Sequence, residues 1–248
     1  MIKITMIFWM LVGMVTVTAQ DATEIIKTAD QRARGITSSQ GAMKMIIVRP
    51  NWTREISIKS WSKGSDYSLM LITDPPRDKG AAFLKRNKEI WNWQPSIDRA
   101  IKLPPSMMMQ SWMGSDFKND DLVRESSVVI DYTHKLLGEE ELDGRPAYKI
   151  ELIPKEDAPV VWGKVISWVG KEHYLQLKSE FYDEDGYLVS TMLGKDVKML
   201  GGRLLPSKLE MIPADEEGKK TVIEQESIAF DVPIESQFFS LQNMKRVR

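Results

Sequence analysis

The 248-residue sequence predicts a mainly β protein, one twisted antiparallel meander curling toward a barrel, preceded by one helix and interrupted by short helices. Three observations predict it. From residue 38 onward, short runs rich in β-branched and aromatic residues alternate apolar with polar. Turn signals punctuate those runs. Residues 104–130 lose the alternation altogether and read better as short helices.

The first 19 residues have the features of a signal peptide. Lys3 is their sole charge, residues 4–18 run apolar through Phe8, Trp9, Leu11 and Val17, and Val17-Thr18-Ala19 offers small residues for cleavage. The mature chain then starts near Gln20, and residues 20–248 make one domain. A membrane anchor is the competing reading, but a bilayer span needs about 20 apolar residues and this run is shorter, with no basic cluster after it.

Residues 21–34 carry Asp21 and Thr23 as cap candidates, Ile25, Ile26 and Ala29 at helical spacing, and Gly35 as a stop. Strands follow. Met43, Met45 and Ile47 oppose Lys44; Ile56 and Ile58 oppose Ser57 and Lys59; Tyr67, Leu69 and Leu71 oppose Ser68. Pro50-Asn51, Lys63-Gly64, Asp74-Pro75-Pro76 and Arg86-Asn87 turn the chain between runs. The pattern resumes after the Leu142-Asp143-Gly144-Arg145 turn, with strands at 148–153, 160–169, 175–182, 187–193, 203–212 and 221–230. Turns at Asp183-Glu184-Asp185-Gly186 and Gly201-Gly202 fall between them.

In the middle segment Pro104 and Pro105 suit a first helical turn, Gly114 suits a stop, and Asn119 or Asp120 suits the cap of a second helix through Leu122 and Val123. Its core is Met107, Met108, Met109, Trp112 and Met113. One reading is a helix packed on the core, since Met is a common gap-filler. The other is a lid, because five apolar side chains cover more than one helical face. Trp61, Trp91, Trp93, Trp162 and Trp168 are candidates to wall the same space.

Composition narrows the chemistry. With no cysteine there is no acylation site of the lipobox kind, no disulfide and no thiol nucleophile. The net charge of −1, or −2 once Lys3 leaves, gives no basic footprint for nucleic acid. His134 and His173 are the only histidines, and neither lies near a G-x-S-x-G turn. Asp120-Asp121, Glu139-Glu140-Glu141 and Asp183-Glu184-Asp185 read as solvated turns, caps or strand ends, with weak calcium binding as the alternative, and Asp183-Glu184-Asp185-Gly186 lacks the ligand spacing of an EF-hand loop. No glycine-rich phosphate loop occurs, and Asn51-Trp52-Thr53 reads as a turn. No cofactor or metal is expected. Fifteen methionines and eight tryptophans instead favour wide, adaptable apolar contacts.

These residues resemble a family. Leu103 to Met109, Ser111 to Phe117 and Asn119 to Val123 are similar to the signature of the LolA-like outer-membrane lipoprotein-sorting proteins. Supporting stretches are Trp61-Ser62-Lys63-Gly64, Glu89 to Trp93, Asp143 to Tyr148, Val161 to Lys164 and Phe181 to Gly186. The resemblance spans nearly all of the mature chain. It implies a half-open antiparallel β-barrel with an N-terminal helix, a helical lid over its mouth, a cavity for acyl chains and a periplasmic carrier role. Asn87 to Pro95 resembles a Gly-Lys-x-Leu-Trp-x-Tyr-x-Pro strand of the family's carrier. That carrier also has an Arg-Pro on the preceding strand that helps to hold its lid. The corresponding stretch here is Leu71-Ile72-Thr73-Asp74-Pro75, and Arg49-Pro50 lies earlier in strand order, so no residue inherits the latch.

The expectation is therefore a non-enzymatic periplasmic carrier of lipid or acylated lipoprotein, serving transport to or within the outer membrane between an inner-membrane transporter and an outer-membrane acceptor. Residues 107–113 gate a cavity lined by Met43, Met45, Ile56, Ile58, Leu69, Trp91, Trp93, Tyr148, Trp162 and Trp168. An acyl chain loses about 0.8 kcal/mol per CH₂ exposed to water, so a deep apolar container is what such cargo needs. The rival readings are a lipid-sensing or adaptor module of a membrane transport complex, an envelope enzyme using the acidic clusters, and a structural module with the Met-rich segment as interface.

Overall fold

A computed structural model describes residues 21–87, 89–122, 127–156 and 158–247. The expected signal peptide and the continuation of the middle segment through Val123 lie outside them. Among the described residues no helix is long and apolar enough to cross a membrane.

The chain opens with helix α1 (Ala22–Arg34), where the Asp21 carboxylate accepts from Thr23 N at 2.9 Å. Gly35 ends it at φ +91°, and a Cβ there would lie 2.6 Å from Ser38 O, so only glycine fits this exit. Six strands follow as a meander: β1 (Ser38–Arg49), β2 (Trp52–Lys63), β3 (Tyr67–Asp74), β4 (Ala82–Arg86), β5 (Glu89–Gln94) and β6 (Arg99–Lys102). Residues 103–131 connect them to a second meander and contain the single turn α2 (Asn119–Leu122). The second meander is β7 (Tyr132–Leu142), β8 (Arg145–Pro154), β9 (Lys164–Gly170), β10 (Gln176–Tyr182), β11 (Leu188–Leu200), β12 (Arg203–Pro213) and β13 (Lys220–Phe230). A last turn, α3 (Leu241–Met244), follows.

All thirteen strands form one antiparallel sheet in the order β6-β5-β4-β3-β2-β1-β13-β12-β11-β10-β9-β8-β7. The first and last strands pair, Met45 opposite Ile223, so the two meanders join at the centre. The sheet stays open between β6 and β7. Those two edges are the ones that the middle segment connects in sequence.

Both faces are apolar. On the inner face, Met45, Ile47, Ile56, Ile58, Ile72, Phe83, Ile90, Met211 and Ile223 pack with Met108, Trp112 and Phe117 of the middle segment. Farther round, Ile150, Leu152, Trp162, Val165 and Val169 pack with Ile25, Ile26 and Ala29 of α1. Val161 and Phe181 touch both groups. On the outer face, Leu69, Leu71, Ala82, Leu84 and Trp93 are covered by Phe239 and Met244 of the C-terminal segment. Asp231 anchors the start of that segment, accepting from Ile36 N, Thr37 N and Arg203 Nη2, each at 2.8 Å.

The fold is mainly β with few, short helices, as the sequence predicts. The middle segment keeps the second expected helix as α2 but differs from the first. It has one 3₁₀ turn at Pro105–Met107, bends and turns to 118 with a Ser111–Lys118 bridge, then α2. The expected cap is also different: the Asn119 amide donates to Met107 O at 2.8 Å and so ties the two ends of the segment together. Strand β7 escaped the sequence reading, because Glu139-Glu140-Glu141 breaks its alternation; as an edge strand its charged residues can face water.

Candidate functional site

The candidate site is the inner face of β1–β5 and β13 under residues 107–117. Strand alternation supplies its floor: Met43, Met45 and Ile47 on β1 stand beside Ile56 and Ile58 on β2, since Met45 pairs with Ile56 and Met43 with Ile58. Met45, Ile56 and Ile58 are fully buried and Met43 partly. Onto this floor the segment lowers three side chains. Trp112 is 0% exposed, with its ring 5.1 Å from that of Phe83, and Met108 and Phe117 bury beside it. Met107 and Met113 pack at the margin. Met109 is 53% exposed and takes no part in the floor.

The backbone that holds Trp112 is a tight loop. Trp112 N donates to Phe117 O at 2.8 Å and Ser115 N to Trp112 O at 3.0 Å. Met113 adopts φ +52° and Gly114 φ +82°. A non-glycine residue in the left-handed region costs on the order of 1–3 kcal/mol. The Trp112 indole Nε1 is buried with no hydrogen-bond partner, at a cost of about 1–3 kcal/mol. Two other buried indoles differ. Trp162 donates to Asp121 Oδ1 at 2.9 Å and Trp168 to Glu140 Oε2 at 2.7 Å.

Polar contacts at the loop tip offset these costs. Arg49, at the end of β1, meets both carboxylate oxygens of Asp116 at 3.0 Å and donates to Gly114 O at 3.0 Å. Thr221 Oγ1 donates to Asp116 Oδ2 at 2.7 Å, and Asp116 N donates to Thr221 Oγ1 at 3.0 Å. Arg54 adds a longer bond to Met113 O. At the inner end, Asp121 accepts from Lys118 N at 2.7 Å as well as from Trp162. Burial raises the Asp121 carboxyl above the ordinary carboxylate range, against the opposing pull of those two donors.

The sequence-predicted residues divide between the faces. Met43, Met45, Ile56 and Ile58 line the floor, and Tyr148 and Trp162 belong to the α1 side of the inner face. Leu69, Trp91, Trp93 and Trp168 are corrected to the outer face. On β3, Met70 and Ile72 point in and Leu69 and Leu71 out; on β5, Ile90 points in while Trp91 and Trp93 pack under the C-terminal segment. On β9, Val165 and Val169 point in, and Trp168 joins Ala147, Leu175 and Leu177 outside. Lys149 and Lys178 lie over its ring at 5.0 and 4.4 Å. Where both faces are apolar, alternation cannot say which is inner. The sequence reading assigns no role to Asp116 or Thr221, which are 105 residues apart, and sets Arg49, weighed for the latch, aside on strand order.

Beside α1 a small apolar cavity of about 120 Å³ lies between Ala29, Ala33, Leu175, Leu205, Leu209 and Ile223. At about 30 Å³ per water it would hold only a few. On this inner face a long chain would need the space that the middle segment or α1 now fills. Among the described residues no group of three or more His, Asp or Glu side chains could hold a metal ion. His134 is tied to Val128 O and Thr23 Oγ1, and His173 sits in the β9–β10 turn.

A family model described as "Uncharacterized protein" matches residues 64–246. The chain belongs to this family. Its fold is LolA-like. It superposes on a domain assigned to outer membrane lipoprotein sorting from Vibrio parahaemolyticus with a TM-score of 0.80 and 25% identity, covering 91% of this chain and 98% of that one. A LolA superfamily protein from Nitrosomonas europaea gives 0.78 and 24%, covering 90% and 99%. A DUF1329 family protein from Desulfovibrio piger gives 0.81 and 24%, covering 90% and 97%. No curated protein matches the chain.

Proposed function

We propose that this protein is a non-enzymatic periplasmic carrier that holds the acyl chains of a lipid or lipoprotein on the inner face of its sheet, beneath residues 107–117. One observation carries the reading: the inner face is covered by the buried side chains of Met108, Trp112 and Phe117, which come from a loop whose tip is fastened to the sheet by Arg49, Asp116 and Thr221. A cover of that kind can leave without unmaking the sheet. Its departure would uncover Met45, Ile56, Ile58, Ile72 and Phe83 as one continuous apolar floor. Met108, being unbranched, can repack against chains of different length.

Export through the signal peptide at residues 1–19, with cleavage near Ala19, belongs to this reading, as does exchange of cargo with an inner-membrane transporter and an outer-membrane acceptor. The likeness to the Vibrio domain assigned to outer membrane lipoprotein sorting supports it. The test is native mass spectrometry with lipid extraction on mature protein from a periplasmic extract, beside Met108→Glu and Trp112→Glu. Bound lipid or acylated peptide in the parent, lost from both variants, is the expected result. A reproducibly empty parent with its fold intact would overturn the reading.

A further inference from the structure

We infer that the Trp112 indole N–H reads the head of the cargo, donating to the ester or amide carbonyl that joins an acyl chain to its backbone. The inference rests on the carrier reading and adds to it a chemical class: two-chain lipids or acylated proteins with carbonyl linkages, in preference to hydrocarbon alone.

Buried polar groups in folded proteins are almost always paired, and an orphan needs a reason. Trp112 is fully buried and its Nε1 has no partner, whereas the buried indoles of Trp162 and Trp168 each have a carboxylate. A phenylalanine ring would fill much of the same apolar site without an orphan donor. Phe83 and Phe117, packed in the same cluster, show that the site accepts that chemistry.

The loop is also held against its own backbone preference. Met113 sits at φ +52°, and the Arg49–Asp116–Thr221 contacts at the tip offset that cost. The closed arrangement therefore contains two unfavourable features in one loop, both relieved when it swings out. Once it does, acyl chains take the deepest apolar floor, and their linkage to the headgroup stays near the mouth, because the head must remain in water. The loop pivots on segment ends that stay tied together through Asn119 and Met107. Its underside then borders that mouth, where a carbonyl oxygen gives the indole the acceptor it lacks when closed.

The chemistry makes a specific demand. An ester carbonyl is a good acceptor in the plane of its substituents, and an ether oxygen of the same lipid is not an equivalent one. A site with a committed donor discriminates against the analogue that cannot accept from it.

The experiment titrates mature wild-type protein and Trp112→Phe with dioctanoylglycerol, and with the di-octyl ether of glycerol, which has the same chains and no carbonyl. Wild type is expected to bind the ester about three- to tenfold more tightly than the ether, and Trp112→Phe to bind the two alike. The indole proton of Trp112, followed by ¹⁵N-correlated NMR in wild type, is expected to shift downfield with the ester and stay in place with the ether. Equal affinity of wild type for both lipids, or a preference that survives in Trp112→Phe, would overturn this inference and leave the carrier reading standing. If wild type binds neither lipid, both fall together. Should Trp112→Phe fold poorly, the wild-type comparison and the NMR shift decide alone.

Discussion

Arg49 and Asp116 face each other through two parallel hydrogen bonds of 3.0 Å, joining the end of the first strand to the tip of the loop that covers the inner face of the sheet. The pair is nearly buried, with 13% and 8% of the two side chains exposed. Bidentate arginine–carboxylate pairs are the strong members of their class, and removing one partner strands the other.

Arg49→Ala should therefore loosen the loop far more than the sheet. The expected cost is about 2–3 kcal/mol, below the ~3–5 of a fully enclosed pair. Hydrogen exchange should rise at the Ser115 and Trp112 amides while the β1–β13 ladder stays protected. Arg49→Lys should recover only part of the loss, since an ammonium cannot span both oxygens. Uniform loss of protection across the sheet would show that the pair is structural and not a latch.

The outer face makes a separate prediction. Phe239 is fully buried over Leu69, Leu84 and Trp93 and lies 5.5 Å from the Tyr67 ring. Phe239→Ala should cost about 3–5 kcal/mol in urea melts and leave binding by the folded protein unchanged, because the cluster it supports lies across the sheet from the candidate site. A loss of binding at constant stability would place the cargo on the outer face.

Asp121 gives a pH dependence whose sign follows from burial. Its carboxyl is raised, chiefly by burial, so the folded state takes up a proton before the unfolded chain does. The contribution of this group to stability accordingly rises as pH falls through the folded value, and levels off below the unfolded value of about 3.8. Asp231, Glu140 and Glu210 are lowered and lose stability in acid, so the comparison needs a matched variant. The melting-temperature difference between wild type and Asp121→Asn should move in favour of wild type between pH 7 and pH 4. A difference independent of pH would mean that Asp121 is not raised.

Gly194 on β11 tests the register. A Cβ there would stand 2.3 Å from Gln176 O, a backbone atom that cannot move aside. Gly194→Ala should destabilise by more than the ~1 kcal/mol scale of ordinary substitutions, read as a shifted urea midpoint. An unchanged midpoint would contradict the close approach of β10 and β11.

Much of the fold was legible because most strands carry period-two patterns and end at turn residues with a mechanism. Asp21 and Gly35 bracket α1 where the capping logic puts them. Legibility failed where physics is non-local. Leu69, Trp91 and Trp93 alternate properly, but strands apolar on both sides give no clue to which face is inner until the C-terminal Phe239 and Met244 are seen to cover one of them. The middle segment announced itself through Met107, Met108, Met109 and Trp112, yet its conformation depends on tertiary ties. Asn119 to Met107 and Asp116 to Arg49 and Thr221 close turns that local propensity would have left as helix. Arg49 itself lay in plain view before Pro50, in the wrong strand order for the resemblance to assign it.

Residues 107–117 are proposed as a removable cover over an acyl-binding face. The cysteine-free chain allows that to be tested directly by replacing Asp116 and Thr221, which touch through side chain and backbone, with a cysteine pair. The measurement is uptake of dioctanoylglycerol by the mature double variant, oxidised and then reduced. The disulfide-closed protein is expected to take up none, and reduction to restore binding at or above the wild-type level. Equal uptake in both states would contradict it, because the cargo would then be reaching the protein without moving the loop.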